Sequence, residues 1–420
     1  MRIHIVGRGE TLLEIAKKTG LPAARLAAEN RLAPASRLTE GQSLLYTRPA
    51  RLRAVRHGER AGDLCRAEDL SLRRFLRLNP MQETDDRLPV GQELAVAQSA
   101  VPFGQMAVFG ILSEKAPAED CAASLPYMTC LVCEGCRFAE DRIYVPASAR
   151  RLRMRYPALM PSLWAAVGPD VLPWLLCRGG TEKLPALLRE AGLEGICIVR
   201  DTDGVHFCGG RALPVSPCRM PPEEQRDNRG AREADGSGSP DGIGRLREVL
   251  TDAGMGMCVC VTEIPADPGE ISGFPCLLRG TEGEGLTAAC RRIGATEDGL
   301  RRRMLWPRLP DSATCHSVWP DGTRQTETVD LRQIPALLER CRPTVRREEG
   351  GASFSYRTRA GRQAIRHEMY FEDAFSLSEG LYEMNRRGLG GVWCDAARVP
   401  LWMLYMRSVC YEIVDPRPRG

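Results

Sequence analysis

The residues spaced most suggestively for chemistry in this chain are cysteines. Cys130, Cys133 and Cys136 lie three apart, a spacing that thiolate ligands to zinc or an iron–sulfur cluster use. The first two fall within an apolar run, 129–133, that reads as a strand, so Cys130 and Cys133 point to opposite faces. No second Cys or His pair has zinc-ribbon spacing, and neither a metal nor any other cofactor is expected. Cys258 and Cys260, two apart, share a face and read as small buried hydrophobes. His4, His57, His206, His316 and His367 form neither a metal spacing nor a recognisable catalytic triad. The cysteines number 17, an odd count that excludes a fully paired framework. The opening MRIHIVGRGE has no apolar h-region or cleavage site, so no signal peptide is read and cytoplasmic synthesis is expected. In such a reducing compartment most of the thiols stay free.

The chain that must position such groups has 420 residues, enough for two to four domains of about 100–200 residues each. Hydrophobic residues make up 43% and charged residues 27%, which suffices for ordinary cores. A net charge of +4 gives no argument for nucleic acid, although a mild positive balance suits an anionic polymer such as cell wall. No run approaches the roughly 18 apolar residues of a membrane span. Neither nucleic acid nor membrane is therefore expected as a partner.

Two stretches near the N-terminus repeat one another at a period near 50 residues. The first runs from Ile3 through Gly9-Glu10-Thr11-Leu12, Ile15-Ala16 and Asn30 to Gly41-Gln42-Ser43-Leu44. The second has Val55, Gly58-Glu59, Leu64, Leu78-Asn79-Pro80 and Gly91-Gln92-Glu93-Leu94. Each unit reads as strand, helix, helix, strand. Ile3 and Ile5 alternate like a strand. Thr11 followed three residues later by Glu14 is a capping box opening a helix whose apolar face holds Leu12, Ile15 and Ala16. Gly41-Gln42 turns the chain into a last strand.

These hallmarks resemble the LysM domain, closely in residues 1–48 and more loosely in 51–98, where Arg60 replaces the usual Thr and Gly62 a bulky residue. LysM modules bind N-acetylglucosamine-containing glycans, chiefly peptidoglycan and chitin. By that resemblance the groove lies between the start of the first helix and the loop before the last strand. Gly9, Glu10, Thr11, Leu12 and Asn30 are the glycan-binding candidates of the first copy, and Gly58, Glu59 and Asn79 those of the second.

Beyond Val101 the texture changes to strand-length apolar runs at 106–112, 129–133, 195–199, 257–261, 274–278, 304–307 and 391–394, with amphipathic helices such as 184–191 and 243–253 between them. Strand–helix alternation over about 300 residues predicts a parallel α/β barrel. The expected fold class is thus α/β: two small βααβ LysM domains, then a (β/α)8 TIM-type barrel over 101–416. Three segments carry a more particular resemblance: Ser124–Thr129 leading to Arg137-Phe138, His367 to Phe371 with Glu372-Asp373-Ala374, and Gly388-Leu389-x-Gly391-Val392. They are similar to LysM-bearing family 18 glycoside hydrolases of the spore cortex-lytic type.

That family uses no protein nucleophile. The substrate's own acetamido group attacks, and a Glu at the end of the fourth barrel strand is the general acid, supported by acidic residues upstream on the same strand. In register with that pattern, Asp201 takes the acid position, one methylene short. Val199 stands where an Asp orients the acetamido group, and Cys197 at the next acidic or amide position. Arg200 adds a cation that lowers the acid's pKa instead of raising it. Displacing a catalytic group by about 1 Å can cost about 10²-fold. The resemblance keeps Glu282 as a second candidate but puts Thr281 where the family has Tyr. It places Asp395 at the Trp that floors the sugar site, with Trp393 two residues earlier on the same face. Both join the glycan-binding candidates. The resemblance thus implies a peptidoglycan-binding protein of the spore cortex or coat, with a chitinase-like barrel that is inactive or weakly active. The alternative is an active N-acetylglucosaminidase acting on cortex peptidoglycan during germination. Spore coat proteins are candidate partners. A Gly-, Pro-, Ser- and charge-rich stretch, 209–242, is expected as a disordered insertion.

Overall fold

A computed structural model describes residues 1–33, 35–80, 88–98, 102–199, 240–262, 275–280, 284–295, 303–348, 350–360 and 363–413. Asp201, Thr281, Glu282 and most of 209–242 lie outside the described residues. Pro240 to Gly242 do not belong to a loop, since they begin the helix Pro240–Asp252.

The first module runs β1 (Arg2–Ile5), α1 (Leu12–Thr19), α2 (Ala23–Glu29), β2 (Ser43–Tyr46), and β1 and β2 pair antiparallel with Ile3 opposite Leu45. Thr11 caps α1 in the expected box, its backbone and side chain both engaging Glu14. Leu12, Ile15, Ala16, Leu26 and Leu44 close a small separate core. The second module repeats the order with β3 (Pro49–Ala54), α3 (Ala61–Ala67), α4 (Leu72–Leu78) and β4 (Glu93–Gln98). At Arg60 only half of a capping box survives: its N–H reaches Asp63, but it has no hydroxyl to accept in return.

Eight parallel strands follow: β5 (Gln105–Leu112), β6 (Cys130–Cys133), β9 (Ser162–Val167), β10 (Gly195–Val199), β11 (Gly256–Val261), β12 (Cys276–Leu278), β13 (Leu305–Pro307) and β19 (Gly391–Asp395). They pair in the order β13-β12-β11-β10-β9-β6-β5-β19, and a parallel bridge between Arg308 and Trp393 joins the two ends into a barrel. A short hairpin, β7 (Arg137–Phe138) with β8 (Ile143–Tyr144), lies between β6 and β9, and β20 (Glu412–Ile413) pairs with β5. Alternation along the strands separates two cores. Phe109, Ile111, Cys130, Val132, Cys197, Cys258, Cys260, Leu277, Trp306 and Trp393 fill the barrel, whereas Val108, Leu131, Cys133, Ile196, Val259 and Val392 face the surrounding helices. Cys130 and Cys133 thus part, and Cys258 and Cys260 share the inner face. Phe109 meets Trp164 and Trp306 edge to face, at 5.0 and 4.9 Å between ring centroids. Trp164 fits because Gly195 and Gly256 flank it: a Cβ on Gly256 would lie 2.1 Å from the indole.

Two features extend the expected barrel. Its third strand, Ser162–Val167, is not among the expected runs, although Leu163 to Val167 are all apolar; it alternates between half-buried and buried positions. Between the seventh and eighth strands stands an antiparallel sheet of five strands in the order β15-β14-β18-β17-β16: β14 (Ser312–Val318), β15 (Arg324–Asp330), β16 (Arg346–Glu348), β17 (Gly351–Ala360) and β18 (Gln363–Phe371). Residues 367–371 belong to it. Glu372 and Asp373 then anchor two helices. Asp373 caps the helix Ala374–Arg387, and the Glu372 carboxylate accepts from the Leu286 N–H at the start of the helix Leu286–Gly294. Asp373 places negative charge at a helix N-terminus and the Glu372 carboxyl supplies an acceptor at another, where unpaired N–H groups favour both. Among the described residues no helix is long and apolar enough to cross a membrane, and no cluster could hold a metal ion.

The first module docks on this body. Ser43 bonds Asp373 at 2.7 Å, Val345 N–H donates to the Glu40 carbonyl at 2.9 Å, and Arg347 donates to the Gly41 carbonyl at 2.7 Å. Buried Glu29 accepts from Arg25, Thr47 and the Tyr405 hydroxyl, tying α2 to the helix Leu401–Cys410.

Candidate functional site

Gly9 and Gly58 occupy equivalent left-handed turns, at φ of 74° and 73°, with open space where a Cβ would stand. The carboxylates beside them turn inward to brace these turns. Glu10 accepts from His4 and the Gly7 N–H at 2.7 Å each and pairs with Lys18; the Lys18, Gly7 and His4 bonds hold its pKa down at about 2. Glu59 accepts from the Arg56 N–H and Arg53, and these contacts likewise lower its pKa. Leu12 is buried, whereas the Thr11 hydroxyl stays at the exposed rim.

Asn30 and Asn79 serve the fold. Asn30 donates to the Leu26 and Leu45 carbonyls and accepts from the Leu45 N–H, clasping α2 to β2. Asn79, fully buried, makes the same three bonds to Phe75 and Ala95. A side chain with its amide spent on backbone has little left for a sugar.

The barrel's C-terminal ends form the mouth. Side chains one step beyond the inner layer keep its direction, so Glu134 follows Val132, Arg279 follows Leu277, Arg308 follows Trp306 and Asp395 follows Trp393. Trp393 offers no open face. It is buried, its Nε1 donates to the Leu278 carbonyl at 2.9 Å, and the Arg308 guanidinium lies 5.4 Å from its ring centroid. Arg308 is in turn paired with Asp311 at 2.9 Å. Asp395 reaches the mouth and accepts from the Ala397 and Arg398 N–H groups. Burial raises its pKa, and those N–H bonds pull against the rise. On β10 the inner face carries Cys197 and Val199, without a carboxylate among the described residues.

Glu134 is the mouth residue that sequence reasoning missed. It is 7% exposed, and burial first, then Asp395, lifts its carboxyl to a pKa of about 7 against the pull of Arg279. The neighbouring cysteine spacing drew attention away from it. The usable signal was its place two residues beyond an inward Val132 at a strand's C-terminal end, where barrels carry their functional groups. Elsewhere, His367 meets Ser317 across the inserted sheet at 2.8 Å, but Ser317 is buried and the other ring nitrogen is held by Thr358, which makes a packed polar pair.

A cavity of about 510 Å³ separates the first module from the barrel. Arg31, Leu32 and Arg37, on the loop before β2, face Ala396, Pro400 and Trp402, just past Asp395.

Module and barrel together define the class: an N-terminal βααβ module joined to a TIM-type barrel with an inserted antiparallel sheet. Residues 4–46 match the LysM domain family. Over its whole length the chain is similar in structure to the spore cortex-lytic enzyme SleL of Bacillus cereus, with a TM-score of 0.65 at 13% identity covering 99% of both chains. The SleL of Bacillus megaterium QM B1551 superposes with a TM-score of 0.61 at 13% identity over 98% of each. No curated protein matches the chain. The first module is therefore a LysM domain, and the whole chain has the fold of SleL.

Proposed function

We propose that this chain binds peptidoglycan, or another N-acetylglucosamine-containing glycan, through its first LysM module and holds it against a family 18-like barrel that is inactive or weakly active. The observation that carries this reading is the shared cavity: the loop before β2 of the LysM domain and the segment after Asp395 line the same space. A glycan that runs from Gly9 and Thr11 along the loop before β2 would meet the segment that follows Asp395 across this cavity. Gly58 and Glu59 offer a second, less complete turn of the same kind.

Weak or absent hydrolysis follows from the fourth strand. Cys197 and Val199 occupy the inner positions from which carboxylates would orient the acetamido group. Without them the attacking oxygen is not held in line, a loss of orientation that removes much of the barrier reduction. In this reading Asp201 and Glu282 are the remaining acid candidates, and Asp395 is a sugar contact. The likeness to SleL, described as a spore cortex-lytic enzyme, suggests the spore cortex or coat as the site of action and coat proteins as partners.

Incubating the chain with cortex peptidoglycan fragments and following products by mass spectrometry tests the barrel. Intact fragments, or slow release abolished by Asp201→Asn, are expected. Rapid release of N-acetylglucosamine-ended products would favour an active N-acetylglucosaminidase. Release that survives Asp201→Asn would overturn the assigned register.

A further inference from the structure

The cavity between the first module and the barrel carries charge of both signs beside apolar surface. Arg31 and Arg37 line it from the loop before β2, Asp120 from the helix Ala118–Ala122 and Glu339 from the helix Ile334–Cys341. Among the described residues none of these four side chains has a hydrogen bond or an ion pair. Leu331 and Trp402 supply apolar surface to the same space. Its volume of about 510 Å³ lies within the range of about 300–1,000 Å³ that ligand sites occupy.

A smaller pocket of about 70 Å³ adjoins it, with Leu331 and Trp402 on the walls of both. Glu372 also lines this pocket. It is 5% exposed, and one oxygen of its carboxyl has no partner among the described residues. Leaving a buried polar group without a partner is costly, so such a group favours a ligand that brings one.

A neutral glycan does not account for these groups. Its hydroxyl and acetamido groups carry no charge, so covering four unpaired ions with them removes water without supplying counter-charge. A ligand that bears both anionic and cationic groups supplies it. A short peptide with free carboxylates, a free amine and aliphatic side chains has that pattern. Each of its amides also offers a donor and an acceptor to a carboxyl such as that of Glu372. Peptidoglycan differs from chitin in carrying a peptide of this kind on its sugars.

We propose that the cavity between the LysM module and the barrel binds the peptide stem of peptidoglycan, with Arg31 and Arg37 meeting its carboxylates and Asp120 and Glu339 its free amine. The proposal rests on the glycan-binding reading above, which brings the polymer to this face, and adds a discrimination between peptidoglycan and chitin.

Isothermal titration calorimetry of the full chain with three soluble ligands tests it. The first is a peptidoglycan tetrasaccharide whose peptide stems have a free amine. The second has that amine acetylated, and the third is the tetrasaccharide without stems. Wild type should bind the first about tenfold or more tightly than the third, and about threefold or more tightly than the second. Arg31→Ala with Arg37→Ala should bring the ratio of first to third close to one. Asp120→Asn with Glu339→Gln should remove the difference between first and second. Each readout is a ratio within one variant, so a general loss of stability does not imitate it. Equal wild-type affinity for the stem-bearing and stem-free ligands would overturn the proposal. So would a wild-type ratio kept by either double variant. Sedimentation of wild type with insoluble peptidoglycan stripped of its stems separates this outcome from failure of the LysM reading. Retention there, with equal affinities in solution, removes the stem site and leaves the LysM reading standing. No retention, with no binding of any soluble ligand, removes both.

Discussion

The Arg308 guanidinium lies 5.4 Å from the centre of the Trp393 ring, and the same two residues form the parallel bridge that closes the barrel. One pair thus seals the sheet and covers the aromatic face that a sugar would otherwise stack on. Cation–π contact of this kind contributes about 1–2 kcal/mol when partly desolvated. Trp393→Ala should lower stability by about 3–5 kcal/mol in urea unfolding, because it empties a packed interior. Trp393→Phe should cost about 1–2 kcal/mol through the lost bond to the Leu278 carbonyl. Neither change should reduce retention on peptidoglycan under native conditions; a large loss with Trp393→Phe would put Trp393 back among the sugar contacts.

The paired clasps of Asn30 and Asn79 lead to a second expectation. Replacing either by Ala orphans one N–H and two carbonyls, at about 2–4 kcal/mol. Asn79, fully buried, should be the more costly site. Urea titration followed by limited proteolysis of residues 1–98 would check this. Loss of glycan retention by Asn79→Ala without loss of protease resistance would contradict a purely structural role.

How far these roles could be read from the sequence depends on the residue. The Thr11–Glu14 box and the inner and outer faces of Cys130 and Cys133 followed from spacing, because capping and strand alternation are local rules. The role of Asn79 did not, since its partners in β4 are 16 residues away. The third barrel strand was present as an unbroken apolar run, Leu163 to Val167, but so short a run between Pro161 and Gly168-Pro169 is not distinguished from a buried helical segment by periodicity. The inserted sheet escaped for a related reason: β15 is largely exposed, a run of Arg, Gln, Thr and Glu that sequence alone reads as loop. Glu134 was hidden by its flanking cysteines, and its burial is a property of the closed barrel. Asp201 and Glu282 remain assigned by resemblance.

Glu372 gives the molecule a pH dependence. Burial lifts its pKa from 4.5 to about 8, only partly offset by the Leu286 N–H bond, and its second oxygen has no partner. Between about pH 4.5 and pH 8 the unfolded chain has released this proton while the folded chain retains it. Stability from this group is therefore complete below pH 4.5 and is lost as pH rises towards 8, by an amount on the order of a few kcal/mol. Urea midpoints across that window should fall with pH in wild type and fall less in Glu372→Gln. Identical slopes would show that Glu372 is ionised in the folded state.

The reach of the first module across the shared cavity bears on the glycan itself. Arg31 and Arg37 line that space opposite Trp402. Reversing both charges, Arg31→Glu with Arg37→Glu, should weaken binding to anionic peptidoglycan more than binding to neutral chitin, and the difference should shrink in high salt. Equal effects on the two polymers at every ionic strength would remove the cavity from the glycan path.

The most direct measurement is co-sedimentation of the full chain with insoluble peptidoglycan, compared with a variant carrying Gly9→Val and Thr11→Ala. The account expects wild type in the pellet and the variant, still folded by circular dichroism, largely in the supernatant. Wild type remaining in the supernatant, or a folded variant that pellets as fully as wild type, would contradict it.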